Sequence, residues 1–375
     1  MSQQYSYDVA VIGGGIMGAA TALFLRQRGQ RVVLIERDLC GSRSSGINFG
    51  GVRRQGRNAA QLPLSQRSHG LWAQLPQLIG TDAEYVRSGH LKLARSEADM
   101  ESLVRYASVA AAHGLEVQLI EGKSAIRKLF TMGGENVFGG SLCPEDGQAN
   151  PRLVSPAFAR AAGRAGADIW EHSPVREAGH DGQRFVLQVH KQGMPVTVKA
   201  DALVNTAGAW AGQFAAQLGE AVPMHTTPPA MAVTEPLPFF LPWSLGVEGG
   251  GLYCRQVARG NVVFGGGRGY LLDDTKARSH HQTMLRQLQQ LTDLMPQLRH
   301  AHIIRTWSGT EGHLADGQPV IGASRRVPGL FHAFGFAGGG FQLGPGVGDV
   351  LAELIVEGQT RTPIDAFSIE RFLQP

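Results

Sequence analysis

Apolar residues along this chain fall into runs of two periods, and those runs predict its elements. Residues 7–12 (Tyr-Asp-Val-Ala-Val-Ile) form a short apolar stretch stopping at glycine, which reads as a parallel strand buried on both faces. Residues 19–28 continue at helical spacing and close at Gly29, a C-terminal cap. A second buried strand, 32–35, ends at Glu36, completing a βαβ unit. Residues 44–57 have no clean period and are rich in Gly, Arg and Ser, as expected of a functional loop entering a helix. From 85 to 147 short strand-like pieces surround an amphipathic helix at 101–112, and 151–166 reads as a helix with Leu153, Val154, Phe158 and Ala161 on one face. Residues 202–205 form another buried strand, with 206–210 opening a helix. Strand-like runs recur from 223 to 305, among them 252–255 and 262–264. An amphipathic helix follows, with Met284, Leu285, Leu288, Leu291 and Met295 inward, and Pro296 stops it. The last 50 residues repeat the opening: strand 330–336, Gly338-Gly339-Gly340, then helix 346–357.

Dinucleotide-type elements therefore stand at the start, middle and end of the chain, with sheet-rich segments between them. This predicts an α/β protein with a discontinuous cofactor domain (1–84, 148–220 and 323–375) and an inserted, sheet-rich substrate domain (85–147 and 221–322).

Composition sharpens the picture at a few points. The 375 residues are 43% hydrophobic and 18% charged, the balance of a folded globular protein. Fifty glycines, without a G-X-Y repeat, imply tight turns and backbone brought close to a ligand. The net charge of +4 comes from scattered arginines with no basic run, so no nucleic-acid partner is expected, and an anionic cofactor or substrate would balance the excess. Cys40, Cys143 and Cys254 are far apart and odd in number, which predicts no disulfide framework and no zinc motif and fits a reducing cytoplasm. The 13 histidines include no metal-ligand pair, so no metal is expected. Neither a leader segment nor a membrane-spanning apolar stretch is visible; peripheral docking at the inner membrane stays open.

The strongest motif is Gly13-x-Gly15-x-x-Gly18, between a strand and a helix, with Glu36 ending the next strand. Such glycines allow a tight turn, close approach of a pyrophosphate, and close helix–strand packing. The helix N-terminus offers free N–H groups, and the acidic residue accepts from ribose hydroxyls. Ile16 and Met17 sit in that turn. The motif alone does not separate FAD from NAD.

Three further stretches do. Together with the fingerprint at 11–18, the runs 204–210 (Val-Asn-Thr-Ala-Gly-Ala-Trp), 316–322 (Asp-Gly-Gln-Pro-Val-Ile-Gly) and the glycine motif at 334–346 resemble the D-amino acid oxidase-like flavoprotein family. That family includes glycine and sarcosine oxidases and D-amino acid dehydrogenases. The resemblance spans essentially the whole chain. It is greatest to D-hydroxyproline dehydrogenase and the β-subunit-like opine oxidases. It implies an FAD-binding Rossmann-like domain of the GR2 type and non-covalent FAD, since no cysteine lies in 307–322, where some sarcosine oxidases link the flavin. The cofactor envelope it implies adds Arg37, Arg43, Ser44, Ser45, Asn48, Gly50, Gly51 and Val52 from the first part of the chain. Val175, Thr206, Ala207, Gly208 and Trp210 come from the middle, and Gly338, Gly339, Gly340, Phe341 and Gln342 from the end. A helix N-terminus near 344–347 would present amides to the N1–C2=O edge of the flavin, which gains negative charge on reduction.

The resemblance also implies hydride transfer from the substrate's α-carbon to flavin N5, giving an imine from a small amino acid or secondary amine. D-Proline and hydroxy-D-proline are the preferred substrates; the catalytic subunit of an opine, glycine or sarcosine oxidase-type enzyme is the alternative, and a flavin-binding structural subunit without chemistry is the rival from another class. Arg53 matches an arginine that holds substrate carboxylate in sarcosine oxidase-like members, a role suited to a planar guanidinium; the residues equally allow a surface arginine. Glu311 stands where glycine oxidase-like members have a carboxylate-binding arginine. It could meet a substrate amine or hydroxyl, or be a solvated loop residue. Tyr253 stands where family members place an aromatic over the substrate, and Arg255 faces the same way; both could equally be core or surface. The run 261–265 lacks the lysine of some oxygen-using members, which points toward a quinone or partner protein as electron acceptor, with oxygen the other option.

Overall fold

The computed structural model describes residues 3–133 and 136–373. Two eight-stranded sheets organise the chain. In the first, the path runs Val320–Ala323, Leu330–Phe334, Met194–Asn205, Gln3–Ile12, Val32–Ile35 and Asp168–Trp170. All neighbours on it are parallel except the first pair. The long strand Met194–Asn205 also pairs with Phe185–Lys191, which pairs in turn with Val175–His180. Val32–Ile35 is buried throughout, because helices and strands cover both faces of a parallel sheet. The strand Val320–Ala323 straddles the expected 322/323 boundary because it pairs with Leu330–Phe334.

Helix Ile16–Gln27 packs against Gly340–Glu357 and Pro151–Arg164, and these contacts form the largest apolar core. The crossing with Gly340–Glu357 needs glycine: a Cβ on Gly348 would lie 2.6–2.7 Å from Ala20 Cβ and Thr21 N. That helix begins six residues before the expected start at 346, with Pro345 inside it. Glycine and proline read as loop signals, yet here the glycines let two helices touch and proline is tolerated near the first turns.

The second sheet is ordered Ile303–Ser308, Pro229–Pro236, Asn261–Arg268, Tyr253–Gln256, Ser244–Val247, His90–Ala94, Gly139–Cys143 and Gln118–Glu121. Only Ser244–Val247 with His90–Ala94 is parallel. Helix His281–Leu294 backs it, burying Met284, Leu291 and Leu294. Two inward assignments fail: Leu285 and Leu153 are exposed, at 64% and 38%. Each lies beside truly buried positions, and period alone misplaces residues at the margin of an apolar stripe. The stretch 44–57 holds a one-turn helix, Ser44–Ile47, and a two-residue strand, Gly51–Val52, before helix Leu62–Trp72. The expected helix at 101–112 starts earlier, at Glu97, where Ser96 Oγ caps it by accepting from Asp99 N–H at 3.1 Å. All three cysteines are buried and free. Among the described residues no helix is long and apolar enough to cross a membrane.

Candidate cofactor and substrate site

A cavity of about 980 Å³ lies between the two sheets, at the upper end of the range for small-molecule and cofactor sites. Its first wall is the turn after Gln3–Ile12. Gly13 adopts φ +104°, and a Cβ there would run into the Thr206 carbonyl. Only glycine holds this turn against the strand that ends at Asn205. Gly18 lies beneath it, outside the lining, where a Cβ would overlap the Gly13 carbonyl oxygen; its absence lets the helix approach the strand. The first helical N–H, of Ile16, donates to Ser45 Oγ at 3.0 Å.

Glu36 lines the cavity and accepts from Gly14 N–H at 2.7 Å and from Asp38 N–H at 2.8 Å. Burial raises its carboxyl pKa against the pull of those two donors. Arg37 lies 3.7 Å over the Trp210 ring, and Arg43 is held by Asp38 and the Thr275 carbonyl. Ser44 Oγ donates to the Thr310 carbonyl, while Asn48 ties Ser44 and Ser45 to Gly50, so the 44–50 loop is cross-braced along the wall. Val175, Thr206, Ala207, Gly208 and Gly51 also line the cavity.

The far wall comes from the end of the first sheet and from the second sheet. Gly338, Gly339, Gly340 and Phe341 line it at the N-terminus of Gly340–Glu357. The positive end of the helix dipole therefore lies at Gly340, earlier than expected, and not at 344–347. Besides Gly18, three residues expected in the lining lie behind it. Val52 and Gln342 are fully buried, with Gln342 bonded to Ser65, and Gly50 is packed against the Ala149 carbonyl. They hold the wall from the inside.

The three residues singled out for substrate all reach the cavity. Arg53 donates to the Gln55 carbonyl at 2.6 Å, and burial lowers its pKa. Tyr253 packs edge-on against Phe49, with ring centroids 4.8 Å apart, and its hydroxyl meets only Met231 Sδ, at 3.3 Å. Burial first, then Glu311, raises the phenol pKa. Glu311 sits on the strand Glu311–Leu314, with one oxygen accepting from Gly338 N–H at 2.7 Å and the other 3.2 Å from His313 Nε2. It is no free loop residue: it fastens the glycine loop. Arg255 does not line the cavity; it is buried behind it, donating to the Phe49 carbonyl at 2.6 Å.

Sequence reasoning missed Arg57, His90 and Lys92. Arg57 follows the functional loop, and His90 and Lys92 lie two apart on one strand, facing the cavity. Lys92 pairs with Glu248. A lysine thus reaches the cavity from a strand other than 261–265. Burial, followed by Arg53, Lys92 and Arg57, pushes the His90 pKa well below the usual range, so its imidazole is neutral.

Comparison with known proteins agrees with this geometry. The family described as FAD dependent oxidoreductase matches residues 8–354. This chain belongs to that family. Glycine oxidase of Geobacillus kaustophilus is 27% identical over 98% of both chains, and sarcosine oxidase subunit beta of Rhizobium meliloti is 26% identical over 98% of this chain and 88% of that one. Among solved structures, glycine oxidase of G. kaustophilus superposes with a TM-score of 0.89 at 27% identity, covering 99% of this chain and all of that one. L-proline dehydrogenase of P. horikoshii gives 0.89 at 26% identity, covering 99% and 98%.

The cofactor of the family is FAD, and the residues present fit it. A glycine turn that tolerates no Cβ faces the helix N-terminus, Glu36 stands at the end of the second strand, and a second helix N-terminus closes the other end of one continuous cavity.

Proposed function

We propose that this protein oxidises the C–N bond of a small amino acid or secondary amine, with Arg53 holding the substrate carboxylate and Tyr253 walling the amine side. Bound FAD supplies the hydride acceptor. The observation that carries the reading is the position of Arg53. Its half-buried guanidinium opens into the cavity that Gly13, Gly15, Glu36 and Gly338–Gly340 also line, and among the described residues it forms no ion pair with a carboxylate. The nearby Asp146 is already held by Arg54 Nε at 3.1 Å and by Gln55 N–H at 2.9 Å. A cation half-buried in a cleft without a counter-ion favours an anion from the ligand.

The chain need supply no nucleophile. Arg53 orients the α-carbon, and the apolar wall of Tyr253, Met231 and Leu245 excludes water. Cyclic secondary amines such as D-proline and hydroxy-D-proline are the monocarboxylate form of this reading; opines are its dicarboxylate form. The cavity residues Gly338 to Phe341 and Arg53 argue for chemistry over a purely structural subunit. The electron acceptor is a quinone, a partner protein or oxygen, and the β-subunit relatives make further subunits part of the proposal. Three buried, unpaired cysteines fit a cytoplasmic location.

An anaerobic panel tests the proposal. Holoprotein is mixed with D- and L-proline, hydroxy-D-proline, glycine, sarcosine and opines while the flavin band is followed. Bleaching by one class is expected, and its rate falls at least 10²-fold in Arg53→Ala. Bleaching by none of them would defeat the reading.

A further inference from the structure

Arg57 plays no part in the reading above, yet it is less satisfied than Arg53, its neighbour in the cavity lining. It is 6% exposed, and its buried Nε has no hydrogen-bond partner among the described residues. It is also absent from the ion pairs found there, since the buried carboxylate in this region, Asp146, belongs to Arg54. Its Nη1 lies where a side chain on Gly339 would project, so the guanidinium abuts the glycine loop that lines the cavity. Arg53 Nη1 and Lys92 Nζ stand 3.1 and 3.8 Å from the point a Cβ on Gly56 would occupy. Three cations thus converge on one end of the cavity, and Glu248 answers only Lys92.

We infer that Arg57 is a second carboxylate anchor, and that the substrate is a dicarboxylic amine: an amino acid bearing its second carboxylate on the nitrogen substituent or the side chain. The inference rests on the amine-oxidation reading and narrows it. A monocarboxylate would satisfy Arg53 and leave Arg57 buried and unpaired in the bound state, which is costly for a cation at 6% exposure. The oxidised flavin ring is neutral and offers no counter-charge. The N-terminus of Gly340–Glu357, at the cavity wall, would be the group to stabilise charge developing on a bound flavin during reduction. A second carboxylate satisfies both guanidiniums at once, each through a planar, charge-assisted fork. Burial, and after it the nearby Arg53, pushes the Arg57 pKa down to about 9, so the group stays charged at neutral pH while gaining from any anion.

The test separates binding from turnover. Holoprotein is titrated with glutarate and butyrate, unreactive acids of similar reach, and perturbation of the flavin band gives each dissociation constant. Wild type is expected to favour glutarate about 10-fold or more, and Arg57→Gln to lose roughly 10–100-fold for glutarate, collapsing the preference. Arg57→Lys should retain part of it. Anaerobic bleaching then compares N-carboxymethylglycine with sarcosine, and D- and L-glutamate with alanine, which places the second carboxylate on nitrogen or on the side chain. Equal binding of the two acids by wild type overturns the inference without any variant. So does an Arg57→Gln protein that sheds FAD, or whose flavin potential falls while all substrates slow alike, because the guanidinium then serves the cofactor. A glutarate preference in a protein that no amine bleaches would sink the oxidation reading and leave the anion site standing.

Discussion

Glu311 offers a decisive test because its two possible roles predict opposite readouts. The structure commits one oxygen to Gly338 N–H at 2.7 Å and the other to His313 at 3.2 Å. In Glu311→Ala the Gly338 N–H loses a charged acceptor and the loop entering Gly340–Glu357 loses its tie. A hydrogen bond to a charged group contributes about 1.5–3 kcal/mol. The side chain is 27% exposed, so solvent recovers part of this and about 1–2 kcal/mol is the reasonable figure. Because the glycine loop lines the cofactor cavity, that loss should appear as FAD affinity weakened about 5–30-fold. Glu311→Gln keeps an acceptor for the same N–H and should lose less. Apoprotein titrated with FAD, followed by flavin fluorescence, measures all three. Unchanged FAD affinity together with a raised KM for the amine would refute the loop-anchor argument and return Glu311 to the substrate.

Other outcomes follow from the same geometry. Gly18→Ala should yield protein that no longer retains FAD through gel filtration, because a Cβ there overlaps the Gly13 carbonyl; a fully yellow variant would remove the close-packing argument. Tyr253→Phe should keep kcat/KM within about 5-fold, since among the described residues the hydroxyl meets only Met231 Sδ and a neutral hydrogen bond contributes about 1 kcal/mol or less. A loss beyond 10²-fold would make that hydroxyl catalytic. His90 lies well below the usual histidine range through burial and the adjoining Arg53, Lys92 and Arg57, and His69 falls to about 4 through burial and Arg54. Between about 4 and 6.5 the unfolded chain therefore binds more protons than the native one, so stability rises with pH through that window and is lost on acidification. Melting temperature should be lower at pH 5 than at pH 7.5; the reverse order would contradict the assigned environments.

The parts of the fold that were legible in the sequence are those fixed by local rules. The strand–glycine–helix unit at 7–28 announces itself because the glycines of the turn have a steric reason to be there. The closing glycine motif announced itself less fully. Its helix was expected to start only at Gly346, yet it begins at Gly340, and Gly344 and Gly348 are there so that two helices can touch, a requirement set by residues more than 300 positions away. Helix propensity cannot see that contact. Arg53 and Tyr253 line the cavity, while Val52 and Gln342 shape it only from behind.

The polar wall was hidden for a different reason. In His90-Leu91-Lys92-Leu93 the alternation of polar and apolar residues has the form of a strand with one wet face, and nothing local says that this face meets a cavity instead of bulk water. The tertiary structure supplies the missing fact. It sets His90 and Lys92 opposite the loop bearing Arg53 and Arg57, with Glu248 the acidic partner of Lys92 and Asp146 taken by Arg54. Arg53 and Arg57 thus stand close enough in one cleft to repel each other until an anion arrives. A ligand that neutralises them gains from relieving that repulsion as well as from its own hydrogen bonds. That is why charge on the substrate, more than its ring or chain shape, should govern which amine this cavity selects.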